Sequence, residues 1–448
     1  MPDSAPISTD VIEMRNGRRV ALLACYPLRD PAMPPQFISN HGIRMVEASV
    51  RSAGIDGLEL KVWDLHEADL GHTVSQLLAY DPDLIGFSSY LWSFPFFIDV
   101  AREMKIDDPG RLVVFGGPCA RPSMMDLEPY RNCAEWIDVL VINEGEHTFV
   151  ELIRLEHRNR AALSGISGIA IQQDNRWLET PKRPLSDLNV LPSPYRMSLV
   201  PKGGIGVLQT YRGCPFTCSF CEWGVLDSPK RVCDIDTLCL ELDAIANNEV
   251  TGTLLVDAGL NLNRLAFLNY AQACRETGFY KDRYLISEIY PARVTREHID
   301  FLKGISRPMV GVGLQSFDNK VLSHVERSYD EQRFEHTLAQ LVEVSSVAVE
   351  IILGLPGDTP ENFRRSFERA RRLPCALRVY HCVVLPSALM IKAPASYKLK
   401  FDPWTLKMQS CLGWTIDDLQ KEVDFISRQA QLADGATGDY FWVFPANH

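Results

Sequence analysis

The regular alternation of short β-rich runs with helix-periodic runs constrains this chain most. After a polar tail, "RRVALLACYP", "GLELKVWDL", "LIGFSSYLW", "RLVVFGGP" and "IDVLVINEGE" are apolar and β-prone. They alternate with "GIRMVEASVRSAG", "HTVSQLLAYDPD", "PFFIDVAREMK", "PSMMDLEPYRN" and "HTFVELIRLEHRN", whose apolar residues recur at helical intervals. Such alternation predicts βαβ units in a parallel sheet covered on both faces. A doubly wound α/β domain is expected over 18–160, behind a polar tail 1–17. Ligands of such sheets sit outside the carboxyl ends of the strands. Those ends read "YPLRDP", "SSYLW", "GGPCARP" and "NEGE". Their small residues leave room for a bulky flat ligand or a nucleotide tail.

Residues 161–200 change character. "GIAIQQDNRWLET" reads as a β-hairpin around "QDN", and the Pro-rich remainder as a linker. A second series follows over 201–395, with strands at "GIGVLQTYRG", "TGTLLVDAGLN", "RYLISEIYP", "PMVGVGLQSF", "VAVEIILGLPGDT" and "ALRVYHCVVLP". Six βα units predict a partial (β/α)6 barrel, with chemistry at the carboxyl ends of its strands. The segment 396–448 is expected to be short and mainly helical. "WTIDDLQKEVDFISRQAQLA" carries Asp417 and Asp418 in its first turn. Tyr440, Phe441, Trp442 and Phe444 either cap a barrel mouth or pack on the core.

The 448 residues carry a formal net charge of −11. Nonspecific nucleic-acid binding needs clustered Lys and Arg, so no nucleic-acid partner is expected. A cationic small molecule, such as an amino sugar, suits the charge. No run of about 18 apolar residues is present. The closest approach, Tyr90–Ala101, is broken by Ser93, Pro95 and Asp99. The first residues lack the apolar core of a signal peptide. The expectation is a cytoplasmic protein without a membrane partner.

Of the 12 cysteines, nine are scattered and read as buried small hydrophobes. Cys214, Cys218 and Cys221 stand apart, within "RGCPFTCSFCEWG". A thioredoxin-like pair would use Cys218 and Cys221 and leave Cys214 unexplained. Structural zinc wants four ligands, usually in two separated pairs, and only His381 and Cys382 offer distant candidates. A four-iron cubane is usually held by four thiolates. Three thiolates leave one iron open for a substrate or cofactor. Cys-x3-Cys-x2-Cys is therefore best read as a catalytic cluster loop.

"CPFTCSFC", with aromatic Phe220 before the last cysteine and placed after the first barrel strand, resembles the signature of radical S-adenosylmethionine (SAM) enzymes. "VDAGLN", "SEIYPARVT", "GVGLQSFDNKVL", "EIILGLPGDTPENF" and "VVLPSALMIKAPASYKLKF" are similar, in the same order, to the subgroup with an N-terminal cobalamin-binding domain. "DPDLIGFSSYLW", "VVFGGP" and "INEGEHTFVEL" resemble that domain itself.

The resemblance implies a 4Fe-4S cluster on Cys214, Cys218 and Cys221. It also implies S-adenosylmethionine on the open iron, and an electron donor of flavodoxin or ferredoxin type. Reductive cleavage would give a 5′-deoxyadenosyl radical that abstracts hydrogen from a small-molecule substrate. Phe220, Ser287, Glu288, Arg293, Gln315, Ser316, Ile352, Gly354 and Leu355 lie where this superfamily contacts the cofactor. Glu288 has a competing role as a rim partner of Arg293. Gly354 is read as a cofactor contact and Gly357 as a plain turn. Glu288, Glu350, Tyr290, Tyr380 and His381, near strand ends, are candidate acid–base or substrate groups.

Two departures from the subgroup bear on outcome. The Asp-x-His-x-x-Gly motif that supplies a lower histidine to cobalt is missing, as in many members that still bind cobalamin. The first loop carries "PLRDPAMPP", where Arg29 or Met33 could face cobalt or simply fill the space. The chain also ends early for the subgroup's methyltransferases. Layout and size are similar to radical enzymes that dehydrate an aminoglycoside diol without cobalamin, and that outcome is the expectation. Cobalamin-dependent C-methylation is the alternative. A non-catalytic cobalamin sensor would need no open iron.

Overall fold

The computed structural model describes residues 15, 17–26, 39–173, 176–223 and 231–446. The "PLRDPAMPP" loop, with Arg29 and Met33, lies outside them. The chain forms two compact units. One comprises Met1–Leu28 and Gly42–Pro184, and the other Arg29–His41 and Leu185–His448.

The first unit is built on seven strands: β1 (Arg19–Cys25), β2 (Glu59–Leu65), β3 (Leu84–Ser88), β4 (Leu112–Gly116), β5 (Val139–Val141), β6 (Ile169–Gln173) and β7 (Arg176–Glu179). Their order is β2-β1-β3-β4-β5-β6-β7, and the first five are parallel. This is the doubly wound arrangement whose switch point lies between β1 and β3. The expected hairpin, β6–β7, pairs antiparallel with β5 and extends the sheet instead of standing in a linker. The reason is that β5 would otherwise end the sheet with an open edge. Ile169 and Ile171 join the same buried cluster as Val20, Leu22, Val114 and Val139.

The second unit lays β8 (Ile205–Leu208), β11 (Gly252–Leu255), β12 (Tyr284–Ile289), β13 (Arg307–Gln315), β14 (Ser346–Leu353) and β15 (Ala376–His381) side by side, all parallel. Six parallel strands in chain order form the partial barrel. Two ribbons accompany it, β9 (Tyr211–Arg212) with β10 (Arg231–Val232) and β16 (Lys400–Phe401) with β17 (Met408–Ser410). The C-terminal segment contains the expected helix, Ile416–Leu432, closed by a Thr415–Asp418 capping box.

Two of the tail aromatics pack on the core, the second of the two expectations, and they do so as a strand. Phe441–Phe444 forms β19, antiparallel to β15, and Ala436–Thr437 (β18) pairs outside it. "FWVF" is strongly β-prone and covers the open edge of β15. Trp442 and Phe444 are buried, with Phe444 5.1 Å from the Phe367 ring. Among the described residues no helix is long and apolar enough to cross a membrane.

Candidate active site

Side chains alternate along each barrel strand. Val310, Val312 and Leu314 of β13 are buried on its helix-covered face, so Gly311 and Gly313 look inward. At the carboxyl end of β8 the chain turns into the cysteine loop. The β9–β10 ribbon closes the base of that loop through Tyr211↔Val232 and Arg212↔Arg231. Asp257, just past β11, accepts hydrogen bonds from Thr210 N (2.8 Å), Thr210 Oγ1 (2.5 Å) and Tyr211 N (3.3 Å). Burial pushes its carboxyl up to about 7 against those three donors. The Tyr211 hydroxyl donates to the Gly259 carbonyl at 2.8 Å. Cys214 and Phe216 pack with Tyr290 against Tyr211, Leu262 and Ala266.

Cys218 is buried, and Cys214 and Cys221 are half-buried. Burial pushes the Cys214 thiol up. A backbone donor at Phe216, together with Arg327 and Arg293, works the other way. Three consecutive residues after the helix Asn319–His324 grip this loop. The Val325 carbonyl accepts from Ser219 N (3.1 Å), and Glu326 Oε2 from the Thr217 hydroxyl (2.9 Å). Arg327 Nη1 lies 3.9 Å from Cys218 Sγ. Arg327 Nη2 donates to the Gly313 carbonyl, and the guanidinium sits 5.1 Å above the Tyr290 ring. Sequence reasoning missed Arg327 altogether, since no spacing ties it to the cysteines.

No three His, Cys, Asp or Glu side chains among the described residues converge on one metal ion. A cubane needs a different donor set, one thiolate to each of three irons. Three thiols on one anchored loop, with a guanidinium to offset their charge, fit that group.

Further down the inward face, Glu288 is in register with Gly311, Gly313 with Glu350, and Glu350 with Arg378. A Cβ at Gly311 would overlap the Glu288 carboxylate. The bare stretch of β13 thus lets two carboxylates lean towards each other. Arg378 Nη1 and the Tyr380 hydroxyl both donate to Glu350 Oε1, each at 3.3 Å, and neither is bonded to Glu288. Water reaches Glu288. The protein around it nevertheless strips its hydration and Glu350 adds a like charge, so its carboxyl is held well above the ordinary range. Glu350 is raised as well, by burial, with Arg378 opposing.

Other expected residues lie elsewhere. Ser287 shares the buried face of β12 with Leu285 and Ile289, opposite Glu288, and its hydroxyl has no hydrogen-bond partner among the described residues. Arg293 lies 5.1 Å over the Phe216 ring, and that ring packs 4.6 Å from Tyr290. Phe220 is half-buried within the cysteine loop. Gln315 ends β13 at a register break with φ 72°, and Ser316 is buried, accepting from Asp318 N at 3.2 Å. Ile352 shares the face of Glu350. Leu355 is sealed in the core and its carbonyl accepts from Trp414 Nε1 at 3.0 Å. Gly354 (φ 90°) faces Leu419, and Gly357 N donates to the Leu412 carbonyl at 2.7 Å. His381 is turned from the Arg378–Tyr380 face and packs near Trp442, with ring centroids 6.5 Å apart. Its Nδ1 is 3.0 Å from the Cys382 carbonyl.

In the first unit, two loops meet at the carboxyl edge. Ser89 N and Oγ both donate to the Gly116 carbonyl, at 2.8 and 2.6 Å, and Cys119 N donates to the Ser89 carbonyl. Gly117 has φ 90°, and a Cβ there would sit 2.6 Å from the Ser89 oxygen. Trp92 stacks on Tyr90 at 4.8 Å, hydrogen-bonds the Cys25 carbonyl through Nε1, and stays 39% exposed. An exposed aromatic face beside backbone loops lacking bulk fits a flat corrin ring.

Two family models match this chain, the B12 binding domain over residues 34–153 and the radical SAM superfamily over residues 208–370. From residue 42 on the first match lies in the first unit, and the second match lies in the second unit. The chain carries a B12-binding domain ahead of a radical SAM domain. Radical SAM domains work with a 4Fe-4S cluster and S-adenosylmethionine, and the B12-binding fold with a cobalamin.

The 2-(S-pantetheinyl)-carbapenam-3-carboxylate methyltransferase of Streptantibioticus cattleyicolor is 28% identical, over 77% of this chain and 53% of its own length. The cobalamin-dependent radical SAM methyltransferase TokK of Streptomyces tokunonensis is 28% identical, over 69% of this chain and 48% of its own. This radical SAM chain therefore spans about half the length of these curated relatives. The radical SAM methyltransferase TsrM of Kitasatospora setae, solved with cobalamin and a 4Fe-4S cluster, shares the fold. Its TM-score is 0.64 at 18% identity, covering 87% of this chain and 84% of that one.

Proposed function

We propose that the protein is a cobalamin-dependent radical SAM methyltransferase acting on carbon of a small metabolite that bears a cationic group. The observation that carries this reading is a three-thiol loop at the mouth of a partial barrel in a chain that also holds a B12-type sheet. When bound, the cluster supplies the electron that cleaves S-adenosylmethionine, and the cobalamin supplies a transferable methyl group. Cys214, Cys218 and Cys221 would hold the cluster, and Asp257 and Tyr211 fix the base of their loop. Ser89, Gly117 and Trp92 would seat the corrinoid at the first sheet's edge. Glu288 lies on the inward face without a hydrogen bond from Arg378, and a substrate ammonium group beside it would favour its charged form.

The expected dehydration of an aminoglycoside diol without cobalamin rested on acidic charge and short length, both weak discriminators. The methyltransferase names of the two curated relatives favour methylation instead, as does the B12-type domain. An electron donor of flavodoxin or ferredoxin type remains part of the proposal.

The test is anaerobic reconstitution followed by iron and sulfide counting. Incubation with S-adenosylmethionine and dithionite should release 5′-deoxyadenosine. Gel filtration after adding hydroxocobalamin should leave about one corrinoid per chain. A protein that cleaves S-adenosylmethionine but retains no corrinoid would overturn the methyltransferase reading. One that holds no iron would overturn the enzyme.

A further inference from the structure

The Val325–Arg327 strap is not explained by holding a loop alone. Its first two residues already fix the loop, through Ser219 N to the Val325 carbonyl and the Thr217 hydroxyl to Glu326. The third, Arg327, brings a full positive charge to 3.9 Å from a thiol sulfur. It cannot swing away, because its other terminal nitrogen is spent on the Gly313 carbonyl and its flat face on Tyr290. Its own backbone N–H is tied to the Leu322 carbonyl at 3.0 Å, and Glu326 before it takes the left-handed conformation, φ 55°. A left-handed non-glycine residue has a conformational cost. Here it redirects the chain so that three successive residues meet the loop.

We propose that Arg327 is a positioning residue that sets the reduction potential of a cluster held by Cys214, Cys218 and Cys221. The inference rests on the cluster reading above. Reduction by one electron adds a negative charge to the cluster and its thiolates. A fixed cation beside one of those sulfurs stabilises the reduced form more than the oxidised form, so it raises the potential. Arginine suits this task because it stays protonated and its fork can bridge sulfur and carbonyl together.

The test uses the full chain with its cluster reconstituted anaerobically, titrated with dithionite and followed by EPR. Arg327→Gln should lower the midpoint by at least the equivalent of a tenfold weaker hold on the electron, about 59 mV for a one-electron couple. Arg327→Lys keeps the charge but cannot span both partners, and should fall between. An Arg327→Gln midpoint equal to wild type, at equal iron content, overturns the proposal, even if S-adenosylmethionine binding weakens. Should Arg327→Gln not retain iron, Arg327→Lys decides, and a midpoint at or above wild type overturns it. If the wild type itself holds no four-iron cluster, the cluster reading fails and this proposal falls with it, whereas a cluster with an unmoved midpoint overturns this proposal alone.

Discussion

The two parallel sheets of this protein prepare their carboxyl edges in opposite ways. In the first unit the edge is backbone and aromatic surface: Ser89 stitched to Gly116, Gly117 pressed on Ser89, and the Tyr90–Trp92 stack. In the second unit the edge and the face below it are lined with thiols and charge: Cys214, Cys218, Arg327, Glu288, Glu350 and Arg378. An edge of the first kind recognises shape and flatness, and tolerates a large neutral ring. One of the second kind sets charge, and charge at low dielectric is what redox and proton chemistry respond to. The same parallel-sheet geometry therefore serves as a holder in one unit and as a reactor in the other.

The sharpest separation between them should come from Cys214→Ser. Iron content and 5′-deoxyadenosine release should collapse to background, while corrinoid retention stays near wild type. Loss of both together would mean that the two edges are not independent.

Gly117→Ala is the reciprocal change. It forces a side chain into φ 90° and against the Ser89 oxygen, at a cost of about 1–3 kcal/mol. A lowered thermal midpoint and poorer corrinoid retention are expected, with unchanged iron. Trp92→Ala removes only the exposed ring and should weaken corrinoid retention severalfold by absorbance after gel filtration, with no change in the iron-bound spectrum.

Asp257 makes a subtler probe of the charged edge. Its carboxyl is raised by burial to about 7, so the folded state holds a proton that the unfolded chain releases near its ordinary pKa. Stability from this group is full below that ordinary value and is lost as pH rises towards 7. Asp257→Asn, measured by denaturation at several pH values, should flatten that fall. An unchanged slope would refute the assignment. The smallest effect is expected for Glu249→Gln, which breaks an exposed pair with Lys202 at 2.5 Å and should alter stability by less than about 1 kcal/mol.

How much of this was legible beforehand follows from the range of the signals. Alternation and spacing are local, so the two parallel sheets, the helix Ile416–Leu432 and the cysteine loop could all be read from the chain. The pairing of β6–β7 with β5 and of Phe441–Phe444 with β15 could not, because an open edge exists only once a sheet is assembled. The expected site residues divide by the same logic. Glu288, Glu350 and Tyr380 share the inward face, whereas Ser287 and His381, each one step along its strand, are turned away. A two-residue period says that neighbours oppose each other, but not which of them looks inward.

The sequence by itself determined the three thiols and the alternation that yields two series of parallel strands, since each is a matter of residue type at fixed spacing. Only the tertiary structure decided what stands beside them. Arg327 reaches Cys218 across 109 residues of chain, and Glu350 meets Glu288 through the register of β12, β13 and β14. Register and wrapping fix those neighbours, because electrostatic partners are chosen by distance in space and leave no periodic mark along the chain.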